Sequence, residues 1–284
     1  MDLFTQQLGA AQPDTAVEFA PIDQFLRVPH DGIREVPRQL WGFGGLHGGL
    51  VVAAMAAGLR VAEPTLPLRS ISGRLHRSVR DPFAVSVTPD VTTRSTASYS
   101  SRILPAASPA ASDAALASAT ALFGSDADTP VAAFSPRAPL VPEWREGELF
   151  RPPPAFVPVG GHTEIRALGP NRPFAGGADP TLTAWIRMVE DDLPPDELRL
   201  LFLVDALAPS YAATLSRPAG VPTVELSAHF SGGAAVSPWV LVEAHTTAVT
   251  AGGWVTETIN VWGEDSAHLV EARQLRLVRP ARTS

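Results

Sequence analysis

The chain has 284 residues, a net charge of −7 and no cysteine, which excludes disulfides, thiolate nucleophiles and Cys-ligated zinc. All 22 basic residues are Arg, so phosphate-loop and Schiff-base lysines are excluded too, and the acidic balance argues against nucleic acid as a partner. Hydrophobic residues at 45% against 18% charged suffice for one large domain or two ordinary ones.

No apolar run reaches the roughly 18–20 residues of a membrane span. Met1–Asp14 lacks the basic start and apolar core of a signal peptide, so a cytoplasmic location is expected. In chain order, Ala16–Phe19 reads as a short strand, and Phe25–Leu40, with Asp31-Gly32 as its turn, as a hairpin. Glycines at 42, 44, 45, 48 and 49 lead into an Ala-rich apolar run from Leu50. It reads as a buried helix ending near Gly58 and Pro64. Ser70–Val79, Phe83–Thr93, Ser98–Leu104 and Ala114–Phe123 read as strands of an antiparallel meander. From Gly124 to Gly161 Pro, Ala and Ser dominate, as in a linker or a long surface connection.

The order then starts again. His162–Leu168 and Leu182–Val189 are strand-like. Pro194–Leu215 reads as a helix apolar almost all round, with Asp205 inside the apolar run. Such a helix is buried, and a carboxylate there must be paired, hydrogen-bonded or shifted in pKa. Thr223–Phe230, Trp239–Val249, Trp254–Trp262 and His268–Val278 alternate clearly and read as strands. A repeat at this scale points to duplication rather than a solenoid. The expected fold is α+β, a double hot dog of two tandem units, each a long helix wrapped by a curved antiparallel sheet. The expected boundaries are 1–124 for the first unit, 125–161 for the linker and 162–284 for the second.

Over roughly Trp41–Arg279 the sequence resembles the acyl-CoA thioesterase II family. His47–Gly58 is similar to the glycine-led helix start of hot-dog thioesterases. Trp185-Ile186-Arg187, Pro195–Arg199, Thr223–Phe230 and Glu271–Gln274 follow the family's order. The resemblance implies hydrolysis of fatty acyl-CoA by a water that an Asp, a Thr or Ser, and a Gln hold and activate, with no metal or organic cofactor. By position these residues are Asp205, Thr223 and Gln274. A gap-free alignment from Pro195 places Ser210 at the Asp position instead. Asp205 is preferred as the only carboxylate within the helix. Asp205 can act as general base or orient the water, while Thr223 and Gln274 supply a hydroxyl and an amide. Gly48 and Gly49, next to His47, are candidate oxyanion donors at a helix start. The first half has Ala56 where the second has Asp205, so one site per chain is expected, at the junction of the halves.

Structural readings stand beside these. Asp205 could cap a neighbouring backbone, Thr223 could be an ordinary strand residue, Gln274 could face solvent, and His47 could be a turn residue. His229 and His245 read as surface or packing residues. The arginines at 69, 74, 77, 80, 94 and 102 form either a solvated face or a contact for the phosphates of coenzyme A. The expected partners are an acyl-CoA substrate and a second copy of the chain, since hot-dog sheets expose a pairing edge. Two rivals keep the fold. A hydratase or dehydratase wants an Asp/His pair, and no His lies near Asp205 in sequence, so a ring within reach in the structure would favour it. An acyl-binding protein without activity is the other.

Overall fold

The computed structural model describes residues 22–29, 32–107, 115–128, 131 and 134–279. The strand expected at Ala16–Phe19 and the turn residue Asp31 lie outside them. The elements run α1 (Ile22–Leu26), β1 (Ile33–Arg34), α2 (Gly48–Ala62), β2 (Leu68–Leu75), β3 (Phe83–Thr92), β4 (Thr96–Pro105), β5 (Ala117–Gly124), β6 (Glu148–Phe150), β7 (Thr163–Leu168), β8 (Thr181–Met188), α3 (Glu197–Leu203), β9 (Thr223–Phe230), β10 (Val240–Val249), β11 (Trp254–Gly263) and β12 (His268–Leu277).

The twelve strands among the described residues form one sheet, in the order β1-β3-β4-β5-β2-β9-β12-β11-β10-β8-β7-β6. The first-half strands stay together, and so do those of the second half. They meet where β2 pairs antiparallel with β9, Ser72 opposite Ser227. The expected meander is only partly formed. β3, β4 and β5 are sequential neighbours, but β2 lies beside β5. In the second half β9 lies beside β12 in the same way. The shared departure shows that the repeat extends to topology.

The hairpin expected over Phe25–Leu40 is not formed. Phe25 and Leu26 end a short helix, and Ile33–Arg34 pairs instead with Ala84 and Phe83 of β3. Arg34 decides this. Its buried guanidinium donates to the carbonyls of Phe25, Leu26 and Arg27, the orphan acceptors at the end of α1. Burial holds its pKa down to about 10.

α2 is buried along most of its length and runs through Gly58 to Ala62 rather than ending at the glycine. A Cβ on Gly58 would stand 2.9 Å from Val85 Cγ1, so this glycine lets β3 approach the helix. The helix stops before Pro64, where the Glu63 carboxylate accepts from the N–H groups of Thr65 and Leu66. α3 is also shorter than expected. Asp196 caps it by accepting from Arg199 N at 2.9 Å, but it ends at Leu203, and a 3-10 turn over Ser210–Thr214 replaces its second half. Pro209 has no N–H and pushes Ala208 away from helical geometry. Asp205 lies in the turn after α3.

The two helices pack antiparallel. Arg60, in the last turn of α2, donates Nε to Glu197 at the start of α3 at 2.7 Å, while Gly49 meets Leu201 and Phe202 near its end. The core lies between these helices and one face of the sheet.

The Pro-rich connection is fastened to the other face. Ala138, Val141 and Trp144 pack on Leu168, Trp185, Trp239, Leu241 and Trp262. The indoles of Trp185 and Trp262 donate to the carbonyls of Pro142 and Pro136. Trp144 stacks on Trp239, with ring centroids 4.6 Å apart. Proline suits this course, because an extended strap need not donate N–H groups to the sheet. Trp144→Ala is expected to cost about 1–2 kcal/mol, read as a lower midpoint in urea. An unchanged midpoint would show that the strap adds no stability.

Candidate active site

Asp205 is brought to the sheet by the turn after α3. Its backbone N–H donates to Phe202 O at 3.2 Å, which tightens the turn and points the side chain across the start of α2. Both carboxylate oxygens are engaged. Oδ1 accepts from Gln274 Nε2 at 2.8 Å and Arg276 Nη2 at 3.2 Å. Oδ2 accepts from Gly49 N at 2.8 Å and lies 3.5 Å from His47 Nε2.

Strand β12 supplies two of these groups. Residues on one face of a strand recur every second position, so Ala272, Gln274 and Arg276 point together toward the helices. Gln274 is 1% exposed, so the solvent-facing reading of this residue is wrong. Thr223 reaches the same face through a register shift. Leu275 pairs with Glu225, but the next residue, Arg276, pairs with Thr223, so Val224 is skipped. An unbroken register would place Val224 opposite Arg276. Such shifts re-aim a side chain, and here the effect is to turn the Thr223 hydroxyl inward.

The result is a closed ring of hydrogen bonds. Thr223 Oγ1 donates to Gln274 Oε1 at 3.1 Å, Gln274 donates to Asp205 Oδ1, and Arg276 donates Nη2 to Asp205 and Nη1 to Thr223 Oγ1 at 2.9 Å. Arg276 is anchored in turn by Glu257 of β11, whose Oε2 accepts from Nε at 2.9 Å. The other oxygen of Glu257 accepts from Ser210 N, and Ser210 Oγ bonds Thr246 Oγ1 at 2.8 Å. Gln274 thus reaches Asp205, the preferred candidate, whereas Ser210 is fully buried in the Glu257–Thr246 arm of the network.

Burial opposes ionisation of Asp205. His47, Arg276 and the Gln274 and Gly49 donors outweigh it, and the pKa is lowered from the usual Asp value.

The start of α2 completes the site. His47 Nε2 lies 2.9 Å from the Asp205 carbonyl oxygen, and its ring packs edge-on against Phe202, with centroids 5.3 Å apart. Both nearby atoms are acceptors, so Nε2 carries the proton. His47 is therefore a contact across 158 residues of sequence, a His ring within reach of Asp205 although none lies near it in the chain. A Cβ on Gly48 would stand 2.8 Å from Asp205 Oδ2, so glycine keeps that side of the carboxylate open. The two glycines differ as donors. The Gly49 N–H is spent on Asp205, while the Gly48 N–H is at the first helical position, where the helix provides no acceptor.

Sequence reasoning missed Arg276 and Glu257. Both were visible as charged residues on the otherwise apolar inward stripes of their strands: Val270, Ala272, Gln274, Arg276 on β12 and Val255, Glu257, Ile259, Val261 on β11. Three of the six first-half arginines have defined partners. Arg69 reaches Gly124 O and Asp126, Arg74 reaches Glu225, and Arg80 reaches Gly44 O. His229 is exposed, and His245 bonds Thr181 Oγ1 on the outer face. A depression of about 250 Å³ lined by Ser70, Ser72, Thr120, Ser227 and His229 also belongs to the outer face, away from Asp205.

Among families of known proteins, the one described as acyl-CoA thioesterase C-terminal domain matches residues 133–278, just over half of the chain. The chain belongs to the acyl-CoA thioesterase family. Solved structures agree on the fold of this thioesterase-family chain. A hot-dog protein of unknown function from Alicyclobacillus acidocaldarius superposes with a TM-score of 0.80 and 22% identity, covering 93% of this chain and 100% of the other. The acyl-CoA thioesterase II TesB2 of Mycobacterium marinum gives 0.69 and 17%, covering 92% and 99%. A TesB protein of Mycobacterium avium subs paratuberculosis gives 0.71 and 14%, covering 91% and 98%. At these identities the likeness is one of fold, the double hot dog. No curated protein sequence matches. No helix among the described residues is long and apolar enough to cross a membrane.

Proposed function

We propose that this family member hydrolyses acyl-CoA thioesters to the free acid and CoA at Asp205. The observation that carries the reading is the joining of Asp205, Gln274 and Thr223 in one buried hydrogen-bonded ring beside the glycine-led start of α2. Asp205 Oδ1 accepts from Gln274 and Arg276 and Oδ2 from Gly49 N; the side of Oδ2 that Gly48 leaves open is where a water would be oriented and deprotonated. The thioester carbonyl would sit over the helix start, its developing oxyanion facing the Gly48 N–H, where the helix dipole also favours negative charge. Water attack on the carbonyl carbon gives a tetrahedral intermediate. Its collapse breaks the C–S bond, and the CoA thiolate takes up a proton. The reading needs no cofactor and keeps the expectation of a homodimer or larger assembly.

His47 beside Asp205 supports a second reading, addition of water to an enoyl-CoA. It is the weaker one, because the Nε2 proton of His47 is directed at the Asp205 carbonyl oxygen and not toward a substrate. The test is release of free thiol from acyl-CoAs of short to long chain, with enoyl-CoA hydration followed in parallel by loss of absorbance. Thiol release without hydration is expected. Folded protein that hydrates enoyl-CoA and releases no thiol would transfer the assignment to the hydratase.

A further inference from the structure

The outer face of the sheet carries a second set of reactive groups, where the end of β9 lies beside the start of β12. Ser231 follows β9, and its backbone N–H donates to Leu269 O at 2.9 Å, so the serine carries the ladder on by one residue. Its Oγ lies 2.6 Å from His268 Nδ1. His268 Nε2 lies 3.0 Å from Asn260 Oδ1 on β11. An amide oxygen only accepts, so Nε2 carries the proton. Nδ1 is then the basic nitrogen, and the Ser231 hydroxyl donates to it. A hydroxyl, a base and a group that fixes the tautomer of that base make up a nucleophilic triad, which is recognised by geometry and not by sequence position. His268 is 7% exposed, its ring edge-on to Trp262, whereas Ser231 is exposed. Burial lowers the His268 pKa from the usual His value, which keeps the ring neutral and able to take a proton.

The turn after the serine supplies donors. Among the described residues, the N–H groups of Gly232 and Gly233 have no acceptor, so both can donate to an oxygen beside Ser231. A Cβ on Gly232 would stand 3.3 Å from Arg69 Nη1, so a cation borders the same turn. Alternate residues share one strand face, which puts Ser227 and His229 in line with Ser231. These two line the outer depression of about 250 Å³ together with Ser70, Ser72 and Thr120. A space of that size, walled by hydroxyl groups, suits a short acyl group and not a fatty chain.

We infer that Ser231 and His268, with Asn260 as a positioning residue, form a second catalytic centre that hydrolyses short-chain carboxylic esters, separate from Asp205. His268 Nδ1 takes the hydroxyl proton as Ser231 Oγ attacks the ester carbonyl carbon. The oxyanion of the tetrahedral intermediate faces the Gly232 and Gly233 N–H groups. Collapse breaks the C–O bond to the alcohol, which leaves with the proton from Nδ1. A water deprotonated by Nδ1 then attacks the acyl-serine. Its collapse frees the acid and returns the proton to Ser231 Oγ. Ester and water give acid and alcohol, and nothing is oxidised or reduced.

The experiment treats the full chain with a fluorophosphonate, which phosphonylates an activated serine, and maps the labelled residue by peptide mass spectrometry. Label on Ser231 is expected. In folded His268→Gln the labelling rate falls about 100-fold, the scale of a lost general base. Asn260→Leu slows labelling less, and Asn260→Asp restores it, since a carboxylate also accepts from Nε2. Turnover is followed with p-nitrophenyl acetate. Asp205 could hydrolyse this ester too, so the assay is run in the Asp205→Asn background, where adding Ser231→Ala is expected to lower kcat/KM about 100-fold. Folded wild type that takes no label on Ser231, or a Ser231 labelled as fast in His268→Gln, would overturn the inference. So would ester hydrolysis that survives Ser231→Ala in the Asp205→Asn background. None of these readouts depends on whether Asp205 hydrolyses acyl-CoA, so the two proposals stand or fall separately.

Discussion

Asp205→Asn is expected to lower kcat for thiol release by about 10²–10⁴-fold, the range for losing a positioned general base, with a smaller effect on KM. The side chain keeps its shape but loses its charge and one acceptor. With the amide oxygen turned to Gln274 and Arg276, the NH₂ faces the Gly49 N–H, and a hydrogen bond becomes a donor–donor contact. That mismatch costs about 1–3 kcal/mol of stability, so the variant is to be assayed well below its melting temperature. The pH behaviour of the wild type follows from the same groups. Burial would raise the Asp205 pKa, but His47, Arg276, Gln274 and the Gly49 N–H together hold it below the usual Asp value. The folded-state pKa being depressed, the ionised carboxylate contributes stability above its unfolded value of about 3.9, and this is lost as pH falls through the lower folded value. Activity that depends on the carboxylate should therefore stay level from neutral pH into the acid range. A wild-type acid limb near pH 6–7 would show that a different group limits the rate. Equal kcat in wild type and variant would remove Asp205 from the chemistry.

How much of this was legible in the sequence depends on the range of the interaction. The second-half strands alternate apolar and polar residues, and period two is a local property, so their positions were read to within a residue or two. Asp205 stood out because a carboxylate in an apolar run needs partners. The identity of those partners was not local. His47 and Gly49 come from α2, more than 150 residues away, and only the antiparallel packing of α2 on α3 brings them to Asp205. Thr223 was chosen by position, yet its inward aim depends on the skipped Val224, which strand periodicity gives no means to foresee. The length of α3 was misread because apolar composition says that a segment is buried, not that it is helical. Pro209 was the available signal for the break. The Pro-rich stretch showed by composition that it avoids regular structure, but not that the indoles of Trp185 and Trp262 would tie its carbonyls to the outer face of the sheet.

The two glycines that open α2 should give opposite results when each is changed to Ala. In a helix interior Ala is favoured over Gly by up to about 1 kcal/mol, so any loss must come from contacts. At Gly49 the new methyl would stand 2.6 Å from the Leu201 carbonyl oxygen and 3.1 Å from Phe202 Cα and Asp205 Cβ. Leu201 O and Phe202 Cα are backbone atoms of a packed helix, which can yield only if α2 and α3 move apart. Such overpacking costs about 1–3 kcal/mol and sometimes more, and here it also strains the N–H that donates to Asp205. Gly49→Ala is therefore expected to lose about 3 kcal/mol in denaturant unfolding and to lose activity with it. At Gly48 the methyl would meet Asp205 Oδ2 at 2.8 Å and Leu75 Cδ2 at 3.4 Å. Both are side-chain atoms, so α2 and α3 need not part, while the methyl crowds the held carboxylate and covers its proposed working side. Gly48→Ala is expected to unfold closer to wild type than Gly49→Ala, because α2 and α3 need not part, yet to lose about 10–100-fold in kcat by misplacing water or carbonyl. A Gly49→Ala variant as stable as wild type would contradict the close crossing of the helices. A Gly48→Ala variant with full kcat would mean that the reacting atoms approach Asp205 from another side. Separating the two effects at adjacent residues distinguishes what the glycines do for packing from what they do for chemistry, which the glycine-led helix start alone leaves combined.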